Sequence, residues 1–115
     1  MMTPHLKDAV RAAQNRKAVE LGVLNLEGLC AFTGFFLICS GTSSRHIQAI
    51  CDGIIEELKK SGVSPGHVEG YGKAEWILVD YLDFVVHIFS ERARNFYDLS
   101  RLWKSASREP VPENL

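Results

Sequence analysis

Apolar positions along this chain fall into two patterns, and each predicts a different element. Ile47, Ile50, Cys51, Ile54, Ile55 and Leu58 recur at i, i+3, i+4 and i+7, the spacing that lines one face of a helix. It predicts a helix over about 43–61. Thr42 or Ser43 can cap its start, Lys59 and Lys60 suit the negative end of its dipole, and Gly62 and Pro65 end it. Gly53 inside it costs about 1 kcal/mol relative to Ala, which predicts close packing against a sheet. Residues 5–21 predict an earlier helix on Leu6, Val10 and Ala13, with Gly22 as its stop, although Gln14-Asn15-Arg16-Lys17 thins the pattern. Ser90 caps a last helix to about Trp103, with Ala93, Phe96, Leu99 and Trp103 available for packing.

The second pattern is the short continuous apolar run. Trp76–Val79 and Phe84–Phe89 are rich in β-branched and aromatic residues and flank Asp80-Tyr81-Leu82-Asp83, which predicts a β-hairpin. Neither run alternates with polar residues, so both strands are expected to be covered on both faces. Phe35–Cys39 predicts a buried strand feeding the loop Ser40-Gly41-Thr42. Val23-Leu24-Asn25-Leu26 alternates like an edge strand, and His67–Tyr71 predicts a short strand before the hairpin. The order is helix, two strands, helix, three strands, helix, with one parallel pairing across a crossover. One layer of helices covers one sheet face. Something else must cover the other.

Composition narrows the setting. The chain has 115 residues, 46% hydrophobic and 23% charged, with a formal net charge of -1. That size predicts one domain, over 1–104, followed by a Pro-containing, apolar-poor disordered tail over 105–115. The near-neutral charge gives no global attraction to nucleic acid. No apolar run approaches the roughly 20 residues of a membrane helix, and the N-terminus lacks a signal-peptide pattern, so the expected location is cytoplasmic. Cys30, Cys39 and Cys51 form no CxxC, which points to neither a disulfide framework nor a zinc site; Cys39 and Cys51 fall in apolar patterns as buried thiols.

Candidate chemistry is sparse. Ser40-Gly41-Thr42-Ser43-Ser44-Arg45 lies between a strand and a helix start, a geometry that can bind an anion. It matches neither the P-loop nor the dinucleotide fingerprint. A nucleotidyltransferase places two carboxylates two apart on a following strand to hold magnesium, whereas Asp80 and Asp83 are three apart across a turn. A capped helix with a tight loop is the plainer reading. His46, His67 and His87 have no metal-ligand spacing, and no catalytic residue, cofactor or metal is expected. Asp80 and Asp83 also suit a turn, Asp83 better than Asp80. Tyr71, Lys73, Trp76, two Asp and His87 close together on a sheet short of cover have the make-up of a protein-binding face.

These residues also resemble a known family, the ribosomal silencing factors, or Iojap-like proteins. The matching pieces are Lys17-Ala18, Leu24-Asn25-Leu26, Ile38 through His46, Glu69-Gly70, and Trp76 through Tyr81. Asp83, Val85 through Phe89, Arg94 through Leu99 and Arg101-Leu102-Trp103 complete a match from about residue 6 to 104. The resemblance implies a small α/β (α+β) domain with a nucleotidyltransferase-like mixed five-stranded sheet and no transferase activity. It implies binding to the fourteenth protein of the large ribosomal subunit, which sterically blocks subunit joining and lowers translation when nutrients are scarce. Sequence-specific nucleic acid contact is not implied. Carried over by motif, the docking residues are Tyr71, Lys73, Trp76, Leu78, Asp80, Asp83 and His87.

Three positions depart from the family pattern. Leu82 stands where the hairpin normally has Gly, so the turn must avoid positive φ there or bear strain. Gly34-Phe35 stands where Asp-Tyr usually enters the first core strand, and Asn25 where Asp is common. Two other readings stay open. One is a nucleotide-binding or nucleotidyltransferase-like enzyme using the Gly41–Arg45 loop and Asp80; the other is a homodimer that hides the open sheet face on itself.

Overall fold

The computed structural model describes residues 3–29, 33–97 and 106–111. Helix α1 spans Pro4–Asn15; the Thr3 hydroxyl accepts from the Leu6 N–H at 3.3 Å, and Pro4 sits where its missing N–H is harmless. The helix stops at Asn15 and not near residue 21. Lys17 has φ +61°, outside the helical region, and the chain enters strand β1, Val19–Asn25. Gly22 therefore lies inside a strand, next to the bulge between Val19 and Gly22.

Strand β2, Phe35–Gly41, leads into helix α2, Ser44–Lys59. Ser43 is the cap, its Oγ accepting from the His46 N–H at 3.0 Å. Strands β3, His67–Glu69, β4, Trp76–Asp80, and β5, Phe84–Ser90, follow, then helix α3, Glu91–Phe96, and strand β6, Ser107–Glu109. The expected strand at 67–71 ends at Glu69 because Gly70 turns the chain at φ +80°. A Cβ on Gly70 would lie 2.1 Å from the Trp76 carbonyl oxygen.

The sheet order is β3-β4-β5-β2-β1-β6. The parallel pair is β2 with β5; every other neighbouring pair is antiparallel. Six strands replace the expected five. The sixth comes from the stretch expected to be a disordered tail: Ser107, Arg108 and Glu109 pair with Asn25, Leu24 and Val23. The Asn25 side-chain amide donates to Glu109 Oε1 at 2.9 Å. Backbone bonding to an edge strand needs little apolar burial, so composition alone could not reveal this strand. Helix α3 is shorter than expected. Ala93 packs inward, but Phe96 is 78% exposed, and Leu99 and Trp103 lie outside the described residues.

The larger core lies between the sheet and helices α1 and α2. Leu6, Val10, Ile47, Ile50, Ile54 and Leu58 meet Leu37, Ile77, Val86 and Ile88 there. Gly53 does allow a close approach, but to Arg16 and not to the sheet. A Cβ there would lie 2.8 Å from Arg16 Cγ, and Arg16 donates to the Ala49 carbonyl at 3.0 Å. Cys39 and Cys51 are buried, and burial pushes the Cys39 thiol up to about 12. The opposite face carries a smaller cluster of Leu24, Leu26, Ile38, Phe89 and Ala93. Strand β5 is buried on both faces, as its unbroken run predicts. Strand β4 instead alternates in burial: Ile77 and Val79 are buried, while Trp76, Leu78 and Asp80 are half-buried.

Candidate docking site

Strand register decides which side chains share the second face. Trp76, Leu78 and Asp80 pair with Phe89, His87 and Val85, which pair in turn with Ser40, Ile38 and Phe36. Directly paired residues project to the same side of a sheet. The two parities of the hairpin strands thus converge on one surface, opposite α1 and α2. Helix α3 lies over part of it through Ala93, and Arg94 Nη1 donates to the Ser40 hydroxyl at 3.0 Å.

Trp76 is the centre of an aromatic group. Its ring centroid lies 4.9 Å from Tyr97, 5.1 Å from Phe89 and 5.9 Å from His87. The indole Nε1–H donates to His87 Nδ1 at 3.1 Å. An imidazole nitrogen that accepts carries no proton, so the neutral ring holds its hydrogen on Nε2. That Nε2 is buried with no hydrogen-bond partner among the described residues. The Phe36 ring meets the imidazole edge-on at 4.4 Å. Burial alone drives the His87 pKa down to about 4, because the charged form loses its water. The ring is a neutral acceptor for Trp76.

The remaining expected site residues are spread around this centre. Leu78 is half-buried beside His87. The Asp80 carboxylate accepts from the Leu82 N–H at 2.8 Å, so Asp80 and not Asp83 makes the side-chain turn contact. The Asp83 side chain is exposed, while its backbone carbonyl accepts from Gly34 N–H at 3.0 Å. Leu82 takes φ +70° with 73% of its surface exposed; the turn keeps the left-handed geometry that glycine would supply and bears the strain. Lys73 is exposed in the β3–β4 connection. Tyr71 belongs elsewhere. Its hydroxyl donates to Asp52 of α2 at 2.9 Å, and Gln48 of α2 donates to its carbonyl at 2.9 Å, which holds it on the helical side. The hydrogen bond to Asp52 raises the Tyr71 pKa.

Sequence reading missed Tyr97 and Phe89 as neighbours of Trp76, and Phe36 as a neighbour of His87. Phe89 and Phe36 could have been found from alternation combined with the register of β2 against β5. Tyr97 had no such signal, since its contact depends on where α3 lands.

The Gly41–Arg45 loop does not meet Asp80. Gly41 pairs with Ser90, and Asp80 pairs with Val85, five residues away along β5. At about 3.3 Å per residue, they lie about 16 Å apart along the sheet. Three backbone donors around the helix start are engaged: Thr42 N–H goes to His46 Nδ1 at 2.9 Å, His46 N–H to the Ser43 hydroxyl, and Ile47 N–H to the Ser43 carbonyl. His46 Nε2 contacts the Arg16 carbonyl at 2.8 Å, which ties the loop to the end of α1. A Cβ on Gly41 would lie 2.7 Å from Ile47 Cγ1. This is a packed, capped loop. Among the described residues no group of three or more His, Cys, Asp or Glu could hold a metal ion, and no helix is long and apolar enough to cross a membrane.

Comparison with known proteins places this fold. The family model described as ribosomal silencing factor during starvation matches residues 2–115. The chain is 38% identical over 101 residues to Ribosomal silencing factor RsfS of Halalkalibacterium halodurans, covering 88% of this chain and 86% of that protein. Its counterpart of the same name in Bacillus subtilis is 37% identical over 101 residues, with the same coverage. A crystal structure from Bacillus halodurans superposes with a TM-score of 0.82 at 35% identity, covering 92% of this chain and 96% of that one. With a family model spanning nearly its whole length, the chain belongs to the ribosomal silencing factor family.

Proposed function

We propose that this chain docks on the fourteenth protein of the large ribosomal subunit through the sheet face centred on Trp76. Docked there in the cytoplasm, it blocks the small subunit from joining and lowers translation when nutrients are scarce. The observation that carries this reading is the half-buried strip of Trp76, Leu78 and Asp80 beside His87 and Val85. A large aromatic held by stacking and a hydrogen bond, surrounded by partly covered aliphatic and acidic groups, is the composition of an interface anchor. Lys73 and Asp83 are exposed in the connections that precede and follow β4, and charge at an interface's edge tunes the encounter more than the affinity. Tyr71, engaged with α2, has no part in the contact. The mechanism is occupancy of a surface, with no covalent step. Self-association through the same strip would compete with docking, and light scattering over a concentration series reads it.

The test is sedimentation of purified small and large subunits with the protein in excess. Subunits that stay apart support the reading, and undiminished assembly of whole ribosomes overturns it. Trp76→Ala should lose the effect while circular dichroism still reports a folded chain.

A further inference from the structure

The tip of the hairpin combines a strained backbone with an exposed apolar side chain. Tyr81, Leu82 and Asp83 form a three-residue turn, closed by the Asp83 N–H on the Tyr81 carbonyl at 2.9 Å, with Leu82 at its centre at φ +70°. Such a turn is rare and strained, and a bulky residue at positive φ is an outlier. Packing does not offset the strain, because Leu82 is exposed and belongs to neither apolar cluster. An exposed leucine alone needs no explanation. One held in a costly conformation does. The turn is also rigid. The Leu82 N–H donates to Asp80 Oδ1 at 2.8 Å, the Tyr81 N–H to the Phe84 carbonyl at 3.0 Å, and the Gly34 N–H to the Asp83 carbonyl at 3.0 Å. Tyr81 is buried and stacks on Phe84, with ring centroids 5.1 Å apart. Leu82 is therefore held in place just past the end of the strip formed by Trp76, Leu78 and Asp80.

We propose that Leu82 anchors the docked partner by entering an apolar pocket on a protein surface edged by lysine or arginine. A residue whose backbone is already fixed gives up only side-chain freedom on binding, so most of its burial goes into affinity. Charge selects the kind of partner. Residues 18–44 and 74–91, which include β1, β2, β4 and β5, contain no Lys or Arg. Acidic residues flank the turn instead. Asp80 and Asp83 stand on either side of Tyr81-Leu82, and Glu27 lies across Gly34, where an added Cβ would be 3.5 Å from Glu27 Cγ. Such a surface favours a basic protein and disfavours a phosphate backbone. The inference rests on the proposed docking face and extends it from β4 to the hairpin tip.

The experiment pellets large subunits with the full chain as wild type, Leu82→Gly, Leu82→Asn and Leu82→Met, and reads the stability of each protein by urea denaturation. Glycine and asparagine accept positive φ, so the first two variants spare the turn while removing the apolar side chain. Leu82→Met keeps an apolar side chain of similar size. The first two should bind about tenfold more weakly at undiminished stability, and the third as wild type does. Equal binding by wild type and Leu82→Gly overturns the proposal, as does weaker binding that merely follows a loss of stability. Asp83→Lys should weaken binding at low salt, and tighter binding overturns the basic edge of the pocket. Leu82-dependent association with protein-free ribosomal RNA would make RNA the occupant and overturn the proposal. A Leu82-dependent dimer in light scattering, with subunit binding unchanged, would put a second copy there and overturn it too. If Trp76→Ala loses binding while Leu82→Gly keeps it, the docking face stands and this anchor falls. If wild type does not pellet, both fall.

Discussion

Trp76 on β4 donates its indole N–H to His87 Nδ1 on β5 at 3.1 Å, a diagonal contact two residues off the direct register that pairs His87 with Leu78. The bond fixes the tautomer of a buried imidazole and the orientation of the ring centred on the proposed docking face. Trp76→Phe keeps most of the stacking but leaves Nδ1 buried without a donor. It should cost about 1–3 kcal/mol in urea denaturation and weaken docking. Unchanged stability would show that the bond contributes nothing in solution.

The buried imidazole also makes stability depend on pH. Folding lowers the His87 pKa from 6.5 to about 4, so the unfolded chain takes up the proton more readily. The contribution is full above about pH 6.5 and is lost as pH falls toward 4, by up to about 3 kcal/mol. Denaturation midpoints measured between pH 7 and 4 should fall, and His87→Gln should flatten that fall. An equally steep fall in the variant would assign the effect to other groups.

Leu82 has a left-handed backbone and an exposed side chain. Left-handed geometry costs a non-glycine residue about 1–2 kcal/mol, while glycine loses about 0.5–1 kcal/mol of additional chain entropy on folding. Leu82→Gly should therefore stabilise the hairpin by up to about 1 kcal/mol. A clear loss of stability on chemical denaturation would contradict the turn geometry.

Tyr71 distinguishes the two sides of the molecule. Because its hydroxyl is bonded to Asp52 on α2, Tyr71→Phe should lower the melting temperature slightly and leave docking unchanged. A variant with weakened docking and an intact fold would return Tyr71 to the contact surface.

Much of the fold was legible because local pattern and burial agree. The spacing from Ile47 to Leu58 became α2, and the runs at 35–39, 76–79 and 84–89 became strands. The errors share a cause. Strand β6 carries few apolar residues and forms through backbone bonds to an edge. Helix α3 stops early, and Gly53 faces an arginine from another element. No window of sequence contains those partners.

The candidate site divides in the same way. The sequence by itself determined the family, the hairpin, and the presence of Trp76, Asp80 and His87 within it, because a strand's residues and its turn are contiguous in the chain. Only tertiary structure decided that Trp76 and His87 share a face and a hydrogen bond, that Tyr71 faces α2, and that Tyr97 stacks on Trp76. Side-chain direction alternates along a strand, but which alternate set meets which neighbour depends on register, and register is fixed by pairing between distant segments.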